Sequence, residues 1–185
     1  MIIGLSGYAR SGKDTIGLYL SEEYDYCRRA FADPLREAAL AINPYISNDG
    51  LRLADIVNGY GWEAAKAYPE TREFLQRLGT DFGREFLGEY VWADLGVKGL
   101  TPESNFVFTD CRFPSEAERI KDLGGVMWRV TRKGYGPANN HHSEVALDDW
   151  TFDAEIYNFG TKVDLRNSVR LAMDVLHRNA APVSA

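Results

Sequence analysis

Cysteine is almost missing from this chain: Cys27 and Cys111 are the two in 185 residues. So few exclude a disulfide framework and fit a reducing cytoplasm, the expected compartment, or a host cytoplasm for a phage-encoded chain. Long hydrophobic runs are also lacking, although 45% of residues are apolar. No membrane-spanning segment is expected, and the chain reads as soluble. An excess of positive charge is absent as well. The net charge is −6 and the pI about 5.1, which argues against holding nucleic acid by its backbone; a basic site has to be local. Histidine is scarce, and His141, His142 and Glu144 do not match a known metal-ligand spacing. No N-K-x-D motif for guanine recognition appears, nor any internal repeat or low-complexity tract. Met1 leads directly into an apolar run, so no signal peptide is expected. What remains is a length that fits a single domain, residues 1–185, with a sizeable core.

The informative stretch is Ile2 to Thr15, IIGLSGYARSGKDT. A short apolar run, Ile2 to Leu5, reads as a buried parallel strand feeding a glycine turn. Gly7 to Lys13 then has the spacing G-x-x-x-x-G-K of a phosphate-binding loop. Gly7 and Gly12 allow backbone conformations that let successive N–H groups face anionic oxygens, backed by the N-terminus of the following helix. Lys13 adds a point charge for the β- and γ-phosphates. Asp14 stands where serine or threonine usually meets Mg²⁺, and Thr15 follows. Either offers oxygen to a hard cation, so Mg²⁺ binding is expected and its ligand stays open between the two. The expected ligand of the loop is a nucleoside triphosphate.

Farther along, Asp33-Pro34 suits a helix start, with Leu35, Ala38, Ala39 and Ile42 as its buried stripe. Arg36 is then either a solvated residue or the grip on a second phosphate group; both readings stand at this point. Asn43 to Ala67 has no strong period and is broken by glycines. Thr71 to Leu87 predicts a long helix with Phe74, Leu78, Phe82 and Phe86 at four-residue spacing, a row that suits core or base stacking. Arg72, Arg77 and Arg84 share that segment. Asn105 to Asp110 is an apolar run ending in an acid. An aspartate at the carboxyl end of a strand beside the phosphate loop is placed to reach Mg²⁺ or its waters, or else it only ends the strand. Ser115 with Glu118 predicts a capping box, as does Thr161 with Asp164. Arg132 to Asn140, with two glycines, a proline and the pair Arg132-Lys133, suits a flap over phosphates and equally an ordinary surface loop. Strands alternating with helices predict a three-layer α/β fold with a parallel sheet. The segment 33–101 interrupts that alternation as a helical insertion, and 132–142 reads as a short lid-like loop.

The stretches GYARSGKDT, FADPLRE, TREFLQRLGTDFGRE, FVFTDCRFPSEAE and HHSEVALDD resemble, in this order, the phage-type deoxynucleoside monophosphate kinases, which are P-loop relatives of adenylate kinase. The resemblance covers nearly the whole chain. It implies a P-loop kinase fold, an acceptor-binding insertion, and Mg²⁺-dependent transfer of the γ-phosphoryl of ATP to a deoxynucleoside monophosphate (dNMP). Similarity assigns ATP to Arg10, Ser11, Gly12, Lys13, Asp14 and Thr15, and the acceptor to Asp33, Arg36, Arg72, Arg112 and Glu144. Catalysis falls to Lys13, Asp110 and Arg132, and the metal to Asp14, Thr15 and Asp110. The implied partners are small nucleotides, with no nucleic acid and no membrane; a homodimer is allowed. Two other functions fit the same loop. One is a kinase acting on dephospho-coenzyme A or phosphomevalonate. The other is an ATP-binding sensor without catalysis, which leaves Arg36, Arg72 and Arg112 unexplained.

Overall fold

The computed structural model describes residues 1–137 and 145–180. The chain divides into two compact units, one formed by Met1–Ala30 with Gly99–Ala185, the other by Phe31–Lys98.

The first unit holds a five-stranded sheet in the order β2-β3-β1-β4-β5, with every pairing parallel. Its strands are β1 (Ile2–Ser6), β2 (Cys27–Arg29), β3 (Phe106–Phe108), β4 (Val126–Arg132) and β5 (Ala154–Asn158). All five residues of β1 are buried, as expected of a central parallel strand covered on both faces. Successive side chains point to opposite faces. Ile3 and Leu5 join Val107, Trp128, Val130 and Ile156 in a core with Ile16 and Leu20 of helix α1 (Lys13–Tyr24) and Leu165, Val169 and Met173 of helix α7 (Lys162–Ala180). On the other face Gly4 lies against Met127, Cys111 and Ile120, the last from helix α6 (Pro114–Asp122). The result is a helix–sheet–helix sandwich. Fully burying one such aliphatic or aromatic side chain contributes about 1.5–3 kcal/mol.

Strand order locates the ligand crevice of such a sheet. From β1 the chain passes α1 and crosses β3 to reach β2; from β3 it passes α6 and crosses β1 to reach β4. The neighbours β1 and β3 therefore send the chain in opposite directions, and ligands bind outside the carboxyl ends of strands at such a reversal. The 7–12 loop follows β1, and Thr109-Asp110 follows β3.

The second unit is helical: α2 (Ala32–Ile42), α3 (Leu53–Ala65), α4 (Pro69–Arg77), a π-helical run Leu78–Leu87, and α5 (Val91–Val97). Its core gathers Ala39, Ile46, Leu53, Ile56, Ala65 and Leu78. Here the structure amends several expectations. The 43–67 stretch contains a helix after all, kinked at Gly61, because Leu53, Ile56 and Ala65 share a buried face. The helix expected over 71–87 changes winding at Leu78. Bonding of the i→i+5 type moves a four-residue row off one face, so Leu78 is buried while Phe82 and Phe86 stack on each other in solvent. The core reading of that row holds only for its first half. Asp33 lies inside α2, whose N-cap is Phe31, and so does not cap it. At α6 Glu116, not Glu118, reaches back to the Phe113 N–H, because Pro114 opens the helix one residue earlier. The Thr161–Asp164 box forms as expected.

Candidate active site

Gly7 and Gly12 sit at φ values of 145° and 113°, where residues with a Cβ are strained. A Cβ on Gly7 would also strike the backbone carbonyl of Val130. Arg10 takes a left-handed conformation as well, at φ 62°. This curled backbone is braced from the neighbouring strand ends. Asn158, last residue of β5, donates its side-chain N–H to the Ser11 carbonyl at 2.8 Å. Arg132, last of β4, donates to the Arg10 carbonyl at 3.0 Å and stacks over Tyr135. Tyr8 donates its hydroxyl to Asp148 at 3.0 Å, and the guanidinium of Arg129 lies 5.0 Å from the Tyr8 ring centre. Burial, reinforced by the Asp148 hydrogen bond, raises the pKa of the Tyr8 phenol, which stays a donor.

Lys13 folds back over the loop, its Nζ donating to the carbonyls of Gly7 at 2.6 Å and Tyr8 at 3.0 Å. On the same loop, the hydroxyl of Ser11 is buried with no hydrogen-bond partner among the described residues. A buried hydroxyl of that kind calls for an explanation, and a phosphate oxygen at the loop would supply the partner. Cys111, after β3, reports on the surroundings. Burial pushes its thiol well above the usual value, the carboxylates of Glu116 and Asp110 push it further, and Lys13 pulls the other way. Asp110 and Lys13 are thus within electrostatic reach of one sulfur. Glu116 itself is buried and accepts from the backbone N–H groups of Arg112 at 2.7 Å and Phe113 at 3.1 Å, which holds the Asp110–Phe113 turn in place.

The oxygen donors fit magnesium. Asp14, Thr15 and Asp110 offer hard oxygen ligands, the kind taken by a cation that binds one or two protein oxygens and completes its shell with phosphates and water. Asp14 is 84% exposed and pairs with Arg28 at 3.3 Å.

The sheet unit therefore carries Arg10, Ser11, Gly12, Lys13, Asp14, Thr15, Asp110, Arg112 and Arg132 on the segments that leave the carboxyl ends of β1, β3 and β4, with Arg112 exposed. Asp33, Arg36 and Arg72 belong to the helical unit. There Arg36 is paired with Asp33 at 3.1 Å and lies 5.9 Å from the Trp62 ring centre, while Arg72 is exposed on α4. Glu144, His141 and His142, and with them residues 138–142 of the lid-like loop, lie outside the described residues. Sequence reasoning missed Asn158 and the Tyr8–Arg129–Asp148 cluster. Asn158 had a signal, being a polar residue that ends a strand of the sheet, as Asp110 does.

A strand, a glycine loop closed by lysine, and an acid one strand away define a P-loop protein of the kinase class. No family model matches the chain. It is 31% identical over 169 residues to the protein of Acanthamoeba polyphaga mimivirus named "Putative deoxynucleotide monophosphate kinase", a match covering 80% of this chain and 82% of that one. The chain belongs to that family, the deoxynucleotide monophosphate kinases. It is also 36% identical over 100 residues to "Uncharacterized protein ORF77" of Ictalurid herpesvirus 1 (strain Auburn), across 50% of this chain and 43% of that one. Among solved structures, shikimate kinase from Aquifex aeolicus matches with a TM-score of 0.49 and 14% identity, over 96% of this chain and 98% of that one. At that score the likeness adds nothing to the assignment. No helix among the described residues is long and apolar enough to cross a membrane.

Proposed function

We propose that this protein transfers the γ-phosphoryl group of ATP to a deoxynucleoside monophosphate, giving the diphosphate and ADP, in the cytoplasm. The observation that carries the reading is the braced loop with Lys13 and an orphan Ser11 hydroxyl, in a chain related along most of its length to a protein named for this activity.

Phosphoryl transfer asks little covalent chemistry of a protein; it asks that two anions be aligned and their charge offset. The loop amides and Ser11 receive phosphate oxygens of ATP. Lys13 exchanges its two carbonyl acceptors for the β- and γ-phosphates, so its charge follows the electrons that the leaving group gains. Mg²⁺, held through Asp14 or Thr15 and Asp110, supplies further charge neutralisation when bound. Arg132 is tied to the loop through the Arg10 carbonyl, and the proposal gives its guanidinium the charge of the transferred group. For the acceptor, the proposal assigns phosphate recognition to Arg36, Arg72 and Arg112, with Asp33 orienting Arg36 across their 3.1 Å pair. Glu144 stays with the acceptor by resemblance alone.

The test is ADP release in the presence of Mg²⁺, ATP and a panel of ribo- and deoxynucleoside monophosphates, with dephospho-coenzyme A and phosphomevalonate as further arms. ADP release that depends on one or more deoxynucleotides supports the reading. Dependence on a different acceptor assigns another small-metabolite kinase. Slow release that ignores every acceptor assigns a nucleotide sensor.

A further inference from the structure

We propose that Tyr8, held by Asp148 and Arg129, is a positioning residue that presets the phosphate loop for ATP. The inference rests on the nucleotide-loop reading above and concerns residues to which that reading gives no role.

Three observations carry it. First, Asp148 is shared: its Oδ1 takes the Arg129 guanidinium at 2.5 Å and its Oδ2 takes the Tyr8 hydroxyl at 3.0 Å. Arg129 is only 15% exposed, so the pair is partly desolvated and stronger than a surface ion pair. Second, both anchors adjoin the packed sheet unit. Arg129 stands on β4 in register with Ser6, two residues before Tyr8, and Asp148 follows Leu147, which is buried. Third, the carbonyl of Tyr8 accepts from both Lys13 at 3.0 Å and the Ser11 amide at 3.1 Å. Holding the side chain of Tyr8 thus sets the carbonyl that organises the lysine and one loop amide. With Arg132 on Arg10 and Asn158 on Ser11, the loop is tethered at three residues. Such tethers lower the ordering cost that ATP otherwise meets on binding.

The experiment measures ATP affinity by calorimetry and the thermal midpoint of the whole chain, for wild type, Tyr8→Phe, Asp148→Ala, Asp148→Asn and the Tyr8→Phe/Asp148→Ala double variant. Tyr8→Phe keeps the ring under Arg129 and removes only the hydroxyl. The loss of one hydrogen bond is expected to weaken ATP binding about 3- to 10-fold in Tyr8→Phe. Asp148→Ala, which also strips Arg129 of its partner, is expected to weaken it at least as much. Asp148→Asn, which keeps an acceptor oxygen, is expected to recover most of that loss. The double variant is expected to be no weaker than the weaker single, since both remove one tether. The midpoint of Tyr8→Phe is expected to stay within about 4 °C of wild type. Unchanged ATP affinity in the single variants, or losses that simply add in the double, overturns the positioning role. So does a fall in midpoint without a fall in affinity. A wild-type chain that binds no ATP overturns the nucleotide reading itself, and this inference with it.

Discussion

The Nζ of Lys13 lies 2.6 Å from the carbonyl oxygen of Gly7, so the loop's cation is tied to the loop's own backbone. Two carbonyls hold a charge that phosphates hold better, and ATP binding is an exchange of acceptors. Lys13→Ala removes that charge without touching the core. It is expected to lower the transfer rate by about 10²- to 10³-fold, the scale of one lost transition-state charge donor. The thermal midpoint should stay near that of wild type. Steady-state rates and a melting curve on one preparation check this; near-normal turnover contradicts the loop's role.

Asp110 follows β3, beside the phosphate loop, and shares the electrostatic surroundings of Cys111 with Lys13. Asp110→Asn conserves shape and loses charge. If its partner is the metal or a metal-bound water, the interaction grows as charge redistributes in the reaction. The expected outcome is a kcat that falls far more than either KM rises. An unchanged kcat returns Asp110 to the end of a strand.

Asp14 has a competitor for its carboxylate, Arg28, 3.3 Å away. A carboxylate binds a hard cation more strongly than a hydroxyl. Asp14→Ala is therefore expected to raise the Mg²⁺ concentration for half-maximal rate more than Thr15→Ala does. Arg28→Ala, which releases the carboxylate, is expected to lower it. Magnesium titrations of the three variants decide; the opposite order for Asp14 and Thr15 moves the ligand to the threonine.

Arg36 separates a two-substrate kinase from a one-nucleotide binder. A guanidinium grips a phosphate with two parallel hydrogen bonds, and lysine cannot copy that fork. Losing one charged hydrogen-bonding group costs about 1.5–3 kcal/mol, or roughly 10- to 150-fold in kcat/KM for the acceptor. Arg36→Ala and Arg36→Lys are both expected to show that loss, with the Kd for ATP moving much less. Equal losses for ATP and acceptor indicate a structural role.

The sheet was legible because buried parallel strands and amphipathic helices write short-range patterns. Ile2 to Leu5 and Phe106 to Phe108 lie in the strands that their apolar runs predict, and Leu165 and Val169 face the core as their spacing predicts. The phosphate loop was legible because its chemistry is local, with Gly7, Gly12 and Lys13 within one turn of chain. The helical unit was harder. Phe82 and Phe86 keep a core-like spacing that the π-helical winding turns outward, and winding is not written in spacing. Arg129 and Asp148 were silent for another reason. Each meets the loop from more than a hundred residues away, and nothing near them in sequence announces the encounter. Glu116 in place of Glu118 shows how one proline at a helix start shifts a cap.

The central claim is that phosphoryl passes from ATP to a deoxynucleotide. Its most direct measurement follows the label from ATP marked in the γ-position, with Mg²⁺ and each deoxynucleoside monophosphate in turn, by separating the products. The expected result is label in at least one deoxynucleoside diphosphate, lost in parallel reactions of Lys13→Ala. Label that stays in ATP or emerges only as inorganic phosphate, whichever monophosphate is supplied, contradicts the account.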